Sequence, residues 1–368
     1  MELDAGLLRY DGLMDYLELS GNTIMQALHR QKMPNYIKLF DVVRCGRGLM
    51  AGLLAFALLI THAAMSVAAG SPVQQIALVS GDGPIAVIYP DIGEPYRTVF
   101  VQIIGGIENK AKMQVFKYAV GQNVDIAELK NSLYRQNIKV VIALGRQGMK
   151  IASTLDRNIG VVVGGVIVSP ENEMRGLPVN SLSPDPALLF SHLKKLMPAA
   201  RRVFTVYDPR QNAWLIRLAK EAARAQGLEL VAYEAQDLRV AMHAYQDIFE
   251  AADSRRDALW LLQDSTTVED GSVLPLVLHE SWSHNMAVFS SSFGHVRRGV
   301  LFSLYPDNVG LGRHLADSAL GFLASGDYGE HGMILLREVL LAANLRTAMH
   351  LGLDTSPKQG FDMVFPEQ

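Results

Sequence analysis

Charged and polar side chains follow the apolar runs of this chain at the points where each run stops. Arg146 comes just after the run at 139–144, and a guanidinium can hold a carboxylate through two parallel hydrogen bonds. Asp264 follows the run at 258–262, where its carboxylate could pair with an amine. The other candidates carry hydroxyl, amide or carboxylate groups that could orient a ligand, and they are Asp91, Tyr96, Ser169, Asn212, Ser291 and Tyr305. Together they predict a site for a small polar ligand, either an amino acid or a related carboxylate.

Each candidate also has a structural alternative. Ser, Asp and Asn at the end of a strand commonly cap the helix that follows. Arg146 could be a solvated arginine at a helix start, paired with an acidic residue elsewhere. The number of polar run ends favours a ligand cleft for the set as a whole, while the cap alternative stays open for each residue taken singly.

Signatures of catalysis and of metal binding are missing from the sequence. It contains no G-x-S-x-G elbow, no Walker A loop and no H-E-x-x-H motif. His279 and His284 are five positions apart, which is the wrong spacing for two ligands on one helical face. Cys45 is the single cysteine, which excludes a Cys-rich metal site. We therefore predict a binding protein that is not an enzyme and has neither cofactor nor metal.

The elements that position these residues alternate in type. Apolar, β-branched runs lie at 85–89, 113–120, 139–144, 161–168, 202–207, 228–235, 258–262, 286–291 and 300–305. The segments between them have helical periodicity, as in Ile126, Leu129 and Leu133. Near-continuous apolar runs are typical of parallel strands covered on both faces. The pattern predicts the α/β class, with two doubly wound parallel-sheet lobes around a cleft and the ligand at the carboxyl ends of the strands.

A loop-like segment after residue 168 divides the chain into two similar halves. We assign residues 82–180 plus about 297–326 to the first lobe and residues 181–296 to the second. Residues 327–368 form a C-terminal segment without an assigned lobe.

Composition limits the possible partners. The chain has 368 residues, of which 49% are hydrophobic and 19% charged, so packed cores are expected rather than disorder. Lys and Arg number 34 against 37 for Asp and Glu, which gives a formal net charge of -3. Nucleic-acid-binding proteins normally present a basic face, so no nucleic-acid partner is predicted.

The apolar run at 49–69 has the three parts of a secretory signal. Lys38, Arg44 and Arg47 precede it, and small residues end it. A retained membrane anchor and a buried core helix are the alternatives. Residues 1–48 are an unusual extension for a signal, and a translation start at Met33 would explain them. We therefore predict a periplasmic protein that contacts the membrane only through 49–69, if that segment is uncleaved.

Several segments, taken in order, resemble one family. They are PDPALLFSHLKKLMPAARRVFTVYDPRQNAWL, AKEAARAQGLELV, DALWLLQDSTTV, RRGVLFSLYPDNVGLGRHLADSAL and ANLRTAMHLGL. The chain resembles, over roughly residues 85–353, the ABC-transporter substrate-binding proteins whose members include tryptophan- and phenylalanine-binding receptors. The resemblance implies a type I periplasmic-binding-protein-like fold, closure of two lobes on a solute and a membrane permease as partner.

The first lobe diverges from that family. YPDIGEPYRTVF lacks the usual acidic-histidine-proline motif, and Arg146 and Gln147 stand where a small hydroxyl residue is common. Ser169 and Pro170 replace the common Asp-Pro. An aromatic amino acid is therefore not carried over as the ligand. Two other functions remain open: a periplasmic sensing module coupled to a membrane signalling protein, and a two-lobed Rossmann-like transferase.

Overall fold

The computed structural model describes residues 85–94, 96–167, 176–356 and 359–366. The extension at 1–48, the apolar run at 49–69 and the candidate Ser169 lie outside the described residues. Within those described ranges, no helix is long and apolar enough to cross a membrane.

The first sheet contains six parallel strands. They are β1 (Ile85–Pro90), β2 (Phe116–Val120), β3 (Val140–Leu144), β4 (Gly160–Val166), β5 (Val179–Pro184) and β11 (Met333–Leu336). Their order across the sheet is β11-β5-β4-β3-β1-β2. Helices α1 (Tyr96–Ala111) and α9 (Asn308–Ser325) cover one face, while α2 (Ile126–Arg135) and α3 (Gly145–Ala152) cover the other. Because both faces are covered, most of the strand residues are buried, and β3 and β4 are buried throughout, as their near-continuous apolar sequences predict.

The second sheet has seven strands in the order β13-β12-β10-β9-β8-β6-β7. They are β6 (Arg202–Tyr207), β7 (Glu229–Glu234), β8 (Asp257–Leu261), β9 (Ala287–Ser290), β10 (Phe302–Pro306), β12 (Val339–Asn344) and β13 (Met363–Phe365). All pairs are parallel except β10 with β12. The helices of this lobe are α4 (Pro186–Leu196), α5 (Pro209–Ala225), α6 (Leu238–Ala251), α7 (Val273–Ser283), α8 (Phe293–Arg298) and α10 (Leu345–His350). Its core is aromatic, with the Phe190 and Trp260 rings 5.5 Å apart.

Five helices begin at an aspartate that caps them. The side chains of Asp125, Asp185, Asp208, Asp237 and Asp307 accept backbone N–H groups at the starts of α2, α4, α5, α6 and α9. Such a cap satisfies amides that have no partner inside the helix. These five capping aspartates are not among the residues predicted to contact a ligand.

The chain passes between the two sheets three times. It leaves the first sheet after β5 and begins α4, which packs in the second-lobe core. It returns after β10 with α9, and it leaves again between β11 and β12. We assigned 181–296 to the second lobe and about 297–326 to the first. Strand β5 instead keeps the chain in the first sheet up to Pro184, and β10 pairs with β9 of the second sheet, so the crossings fall at Asp185 and Asp307. The unassigned tail is divided, because β11 joins the first sheet while β12 and β13 join the second.

The two lobes repeat one topology. The order β2-β1-β3-β4-β5 in the first sheet corresponds to β7-β6-β8-β9-β10 in the second. In each sheet the strand order reverses beside the first strand, so that the switch points lie between β1 and β3 and between β6 and β8. The predicted α/β class with two doubly wound sheets is confirmed, and ligands of such sheets bind at these switch points.

Candidate functional site

The three crossings bring the carboxyl edges of the two sheets together. Strands β5, β10 and β11 all leave their sheets at the carboxyl end, and each crossing is only one or two residues long. The crossings are also tied to one another, since Asp185 N–H donates to Leu336 O at 2.9 Å and Asp307 N–H donates to Glu338 O at 2.8 Å. Arg337 adds a 3.2 Å bond from Nε to the Asp185 carboxylate. Each switch point therefore lies on the edge that its sheet turns toward the other lobe.

The first-lobe switch point carries Asp91 and Arg146. Ile88 pairs with Ala143 in register, and Asp91 and Arg146 each come three residues later in their segments. Gly145 has a φ of 71°, a value that suits glycine and lets β3 turn directly into α3. Gly148 brings α3 close to the sheet, because a Cβ there would lie 3.1 Å from Ile88 O. The amino end of α3 is thus held directly above β1 and β3.

Asp91 and Arg146 are both exposed. Among the residues that the structure describes, neither side chain makes a hydrogen bond or an ion pair. Asp91 also borders a cavity of about 390 Å³ between α1 and the edge strand β2. Tyr96, in contrast, begins α1 and packs against the first-lobe core. Two of the first-lobe candidates are therefore open to a ligand, while the Tyr96 ring contributes to packing.

Asp264 is the centre of the second-lobe switch point. Its Oδ2 accepts the Asp208 N–H at 2.7 Å and the Asn212 side-chain amide at 2.9 Å. Its Oδ1 accepts the N–H groups of Thr266 and Thr267 at 3.0 and 3.1 Å. Burial of the carboxyl group raises the pKa of Asp264, although these hydrogen bonds act in the opposite direction. The structure therefore brings the predicted residues Asn212 and Asp264 together and uses each to hold the other.

Asp208 forms the second half of this network. Its carboxylate accepts Arg210 N–H at 2.9 Å, the Arg210 guanidinium at 2.6 Å and the Thr266 hydroxyl at 3.0 Å. The Arg210 hydrogen bond is the main reason that the pKa of Asp208 falls to about 2. Gln211 bridges to the Thr266 hydroxyl at 2.9 Å. Sequence reasoning did not select Asp208, Gln211 or Thr266 as candidates, although the Asp-Pro turn and the Ser-Thr-Thr run marked their loops.

Asp208 should make the free energy of unfolding depend on acid pH. A carboxyl whose pKa is lowered in the folded state stabilises that state above its unfolded pKa, and the effect is lost as pH falls from about 4 toward 2. Asp208→Asn keeps a capping side chain, so we expect it to cost about 1–2 kcal/mol at pH 6 and much less at pH 2.5. Urea unfolding of both proteins at the two pH values measures this.

Asp264 changes the free energy of unfolding in the opposite direction, because a carboxyl group whose pKa is raised in the folded state stabilises that state as pH falls. The relevant quantity is therefore the difference in the free energy of unfolding between the wild type and Asp208→Asn at each pH. An equal difference at pH 6 and pH 2.5 would contradict the assignment of this pH dependence to Asp208.

Two further candidates are buried in the second lobe. The Ser291 hydroxyl accepts the Trp260 indole N–H at 2.9 Å and is enclosed in the core. The Tyr305 ring packs 4.8 Å from Phe293, and burial raises the pKa of its hydroxyl. Both side chains are buried and pack within the second lobe. No group of three or more potential metal ligands occurs in the described part of the chain.

The sequence matches a known family over most of its length. The model of the family described as "ABC transporter substrate binding protein" matches residues 104–356, more than half of the 368 residues. The chain belongs to this family. The predicted family membership is confirmed, and the chain is a substrate-binding protein with a solute-binding role.

A solved structure of a substrate-binding protein supports the type I periplasmic-binding-protein-like fold, and two further structures are similar to this chain. The ligand-free, open structure of CD0873 from Clostridium difficile, a substrate-binding protein with adhesive properties, has a TM-score of 0.55 at 14% identity, covering 76% of this chain and 98% of that one. An ABC domain in complex with L-Trp from Streptococcus pneumonia has a TM-score of 0.45 at 16% identity, covering 76% and 99%. A conserved domain protein from Vibrio cholerae has a TM-score of 0.44 at 17% identity, with the same coverage. No curated protein sequence gives a significant match.

Proposed function

We propose that this substrate-binding protein serves an ABC importer outside the cytoplasm, where it closes its two lobes on an amino acid or a related carboxylate. The observation that carries the proposal is the exposed Arg146 guanidinium at the first-lobe switch point, which has no protein partner among the described residues. An arginine fork at this position fits a carboxylate. The membrane permease of the importer is the proposed partner.

The amino end of α3 supports anion binding at the same place. Arg146 lies in the first turn of this helix, and backbone N–H groups at a helix start carry partial positive charge. Gly145 and Gly148 let the helix approach the sheet, which brings these N–H groups to the carboxyl edge. A carboxylate in the cleft would therefore meet the guanidinium and the helix end together.

The three crossings support closure by a hinge. A few short segments at the ends of regular elements absorb the rotation in hinged proteins. Here the crossings lie side by side at one end of the sheets, opposite the edge strands β2 and β7. Rotation about them would bring Arg146 toward the second-lobe network. The proposed periplasmic location follows from the family and from the signal-like sequence at 49–69, which lies outside the described residues.

Arg146→Ala tests the proposal. A thermal-shift screen of amino acids, purines and small organic acids first identifies a solute that raises the Tm, because a ligand bound only by the folded state stabilises it. We expect the variant to bind that carboxylate about 10–100-fold more weakly by calorimetry, since a charge-assisted pair is lost.

Arg157→Ala is the matched control. Arg157 is an exposed arginine of the same lobe, in the loop before β4 and so at the opposite, amino edge of the sheet. The Arg157→Ala protein should bind the solute with the affinity of the wild type. Equal affinities of the Arg146→Ala and Arg157→Ala proteins would remove Arg146 from the site.

A further inference from the structure

Strand β7 is the open edge of the second sheet. It ends the strand order β13-β12-β10-β9-β8-β6-β7, and among the described strands it pairs with β6 alone. Its four central residues, 230–233, are only half-buried, so neither face of the strand is fully covered. The N–H and C=O groups on the outer side of an edge strand can pair with a strand of another chain. Strand β7 therefore offers a place for an added strand.

A groove of about 310 Å³ lies beside this strand, along helix α5. It is on the β7 side of the helix, because Arg210 at the helix start donates to Gln236 O at 3.1 Å, just past the end of β7. Tyr207 lines the groove, and its hydroxyl donates to the Glu234 carboxylate of β7 at 2.9 Å. A strand added to β7 would therefore turn alternate side chains toward the groove.

The groove is lined by three basic side chains and one acidic side chain. Arg217, Lys220 and Arg224 are exposed, and in the described part of the chain none of their side chains forms an ion pair or a hydrogen bond. Glu221 is the acidic residue of the lining. The groove is therefore positively charged, which suits an acidic partner.

The spacing of two of these cations matches the repeat of a strand. Lys220 and Arg224 are four residues apart on α5, which corresponds to a rise of about 6 Å along a helix. Alternate residues of a strand are about 6.6 Å apart. Leu230 and Ala232 are alternate residues of β7 that pack in the same core as α5, so their neighbours on an added strand would also face the groove. Acidic side chains at those two positions would meet the two cations.

A second copy of the chain does not fit this edge. Antiparallel pairing of two β7 strands over all six residues would set Glu229 of one copy opposite Glu234 of the other. Like charges directly opposite each other destabilise a pair of strands. The occupant must therefore be a segment of another protein.

We propose that β7 and the groove along α5 bind an extended segment of another protein, which adds to the sheet as a strand and carries acidic residues at alternate positions. Main-chain hydrogen bonds to the edge would supply affinity, and the groove would select the acidic side chains. None of the residues predicted to contact the solute lines this groove. The proposal therefore does not depend on which solute the protein binds.

Two peptides of equal length test the proposal. The acidic peptide is acetyl-Thr-Val-Glu-Val-Glu-Val-Thr-amide, and the basic peptide has lysine in place of both glutamates. Each is titrated calorimetrically into the full-length protein at low salt, up to about 1 mM peptide. We expect the acidic peptide to bind about 10–100-fold more tightly, because its two attractive charge pairs become repulsive in the basic peptide. Hydrogen exchange of the β7 amides should slow when the acidic peptide binds, since their outer N–H groups become paired.

Charge reversal in the groove should reverse the preference. The double variant Lys220→Glu, Arg224→Glu should bind the basic peptide about 10-fold more tightly than the acidic one. Both residues are exposed, so the variant should keep a Tm close to that of the wild type. The matched control is Arg239→Glu, Arg255→Glu, which alters the net charge equally at two exposed arginines, one on α6 and one in the loop after it, and α6 packs on the opposite face of the sheet. The control protein should keep the wild-type preference.

Three results would overturn the proposal. The first is a wild-type protein that binds neither peptide, or binds both equally. The second is a charge-reversed protein that still prefers the acidic peptide. The third is binding of the acidic peptide with unchanged hydrogen exchange at β7, which would mean that the peptide contacts α5 without adding a strand.

Other occupants of this surface would give distinct results. Phosphatidylglycerol vesicles that bind the wild type but not the charge-reversed variant, and that the acidic peptide does not displace, would assign the groove to a membrane surface. A dimer of the free protein in which the β7 amides are already protected would assign the edge to a second copy. Either result would contradict the proposal.

Discussion

Replacing Gly106 by alanine should destabilise the first lobe by about 2–3 kcal/mol, because α1 and α9 cross there with their backbones in contact. An added Cβ on Gly106 would overlap the Val309 carbonyl and lie 3.1 Å from the Gly312 Cα. Gly312 faces Gly106 in turn, and its own Cβ would overlap the Ile103 carbonyl. The obstructing atoms are backbone, so no side chain can move aside and the helices must separate.

Gly105 provides the matched control one position earlier on the same helix. It is exposed, and a Cβ there meets no atom within 4 Å. Alanine is the better helix former, so Gly105→Ala should stabilise the protein by about 0.5–1 kcal/mol. Thermal and urea unfolding of the two variants measure the contrast. If Gly106→Ala unfolded at the wild-type midpoint, the close crossing of α1 and α9 would be contradicted.

The strands that could be predicted from sequence share one physical property. The run at 258–262 is buried on both faces and so is continuously apolar, and it becomes β8. Strand β5 was missed, because VNSLSP contains the polar and turn-forming residues expected in a loop. Its buried polar groups are paired in the fold, as in the 3.1 Å bond from the Asn180 amide to Val163 O. Pairing of this kind depends on the neighbouring strand, which local sequence does not reveal.

The C-terminal segment shows a second feature that local sequence does not predict. Residues 333–344 form a nearly continuous apolar stretch, yet the structure divides it between β11 and β12, which belong to different sheets. The break falls at Arg337 and Glu338, whose partners Asp185 and Asp307 lie far away in sequence. A crossing between lobes is defined by those distant partners, so hydrophobic periodicity does not mark it.

The sequence predicts which candidate residues lie at the ends of strands, but it does not predict their hydrogen-bond partners. Periodicity places Asn212, Asp264 and Arg146 at carboxyl edges, and the structure has them there. It does not tell which polar groups satisfy each other, such as the pair formed by Asn212 and Asp264 or the bond between Trp260 and Ser291. That distinction separates residues that build the wall from residues that are open to a ligand, and it requires the distances between atoms.

Asp264→Ala should have the largest effect on the second lobe, because four donors converge on this one buried side chain. Alanine would leave three backbone N–H groups and the Asn212 amide without their acceptor. Buried unpaired donors cost about 1–3 kcal/mol each, and water entering the gap recovers part of this, so we expect a loss of about 4 kcal/mol in the free energy of unfolding.

Asp264→Asn should lose only about 2 kcal/mol, since its carbonyl oxygen can still accept two of these bonds while its amide faces the other donors. Asp247→Ala, on the exposed face of α6, should unfold at the wild-type urea concentration. Urea unfolding of the three variants at pH 7 ranks them by their free energy of unfolding. An Asp264→Ala protein as stable as Asp264→Asn would mean that the four donors find other acceptors, and the network would then not be what joins β6 to β8 at the cleft.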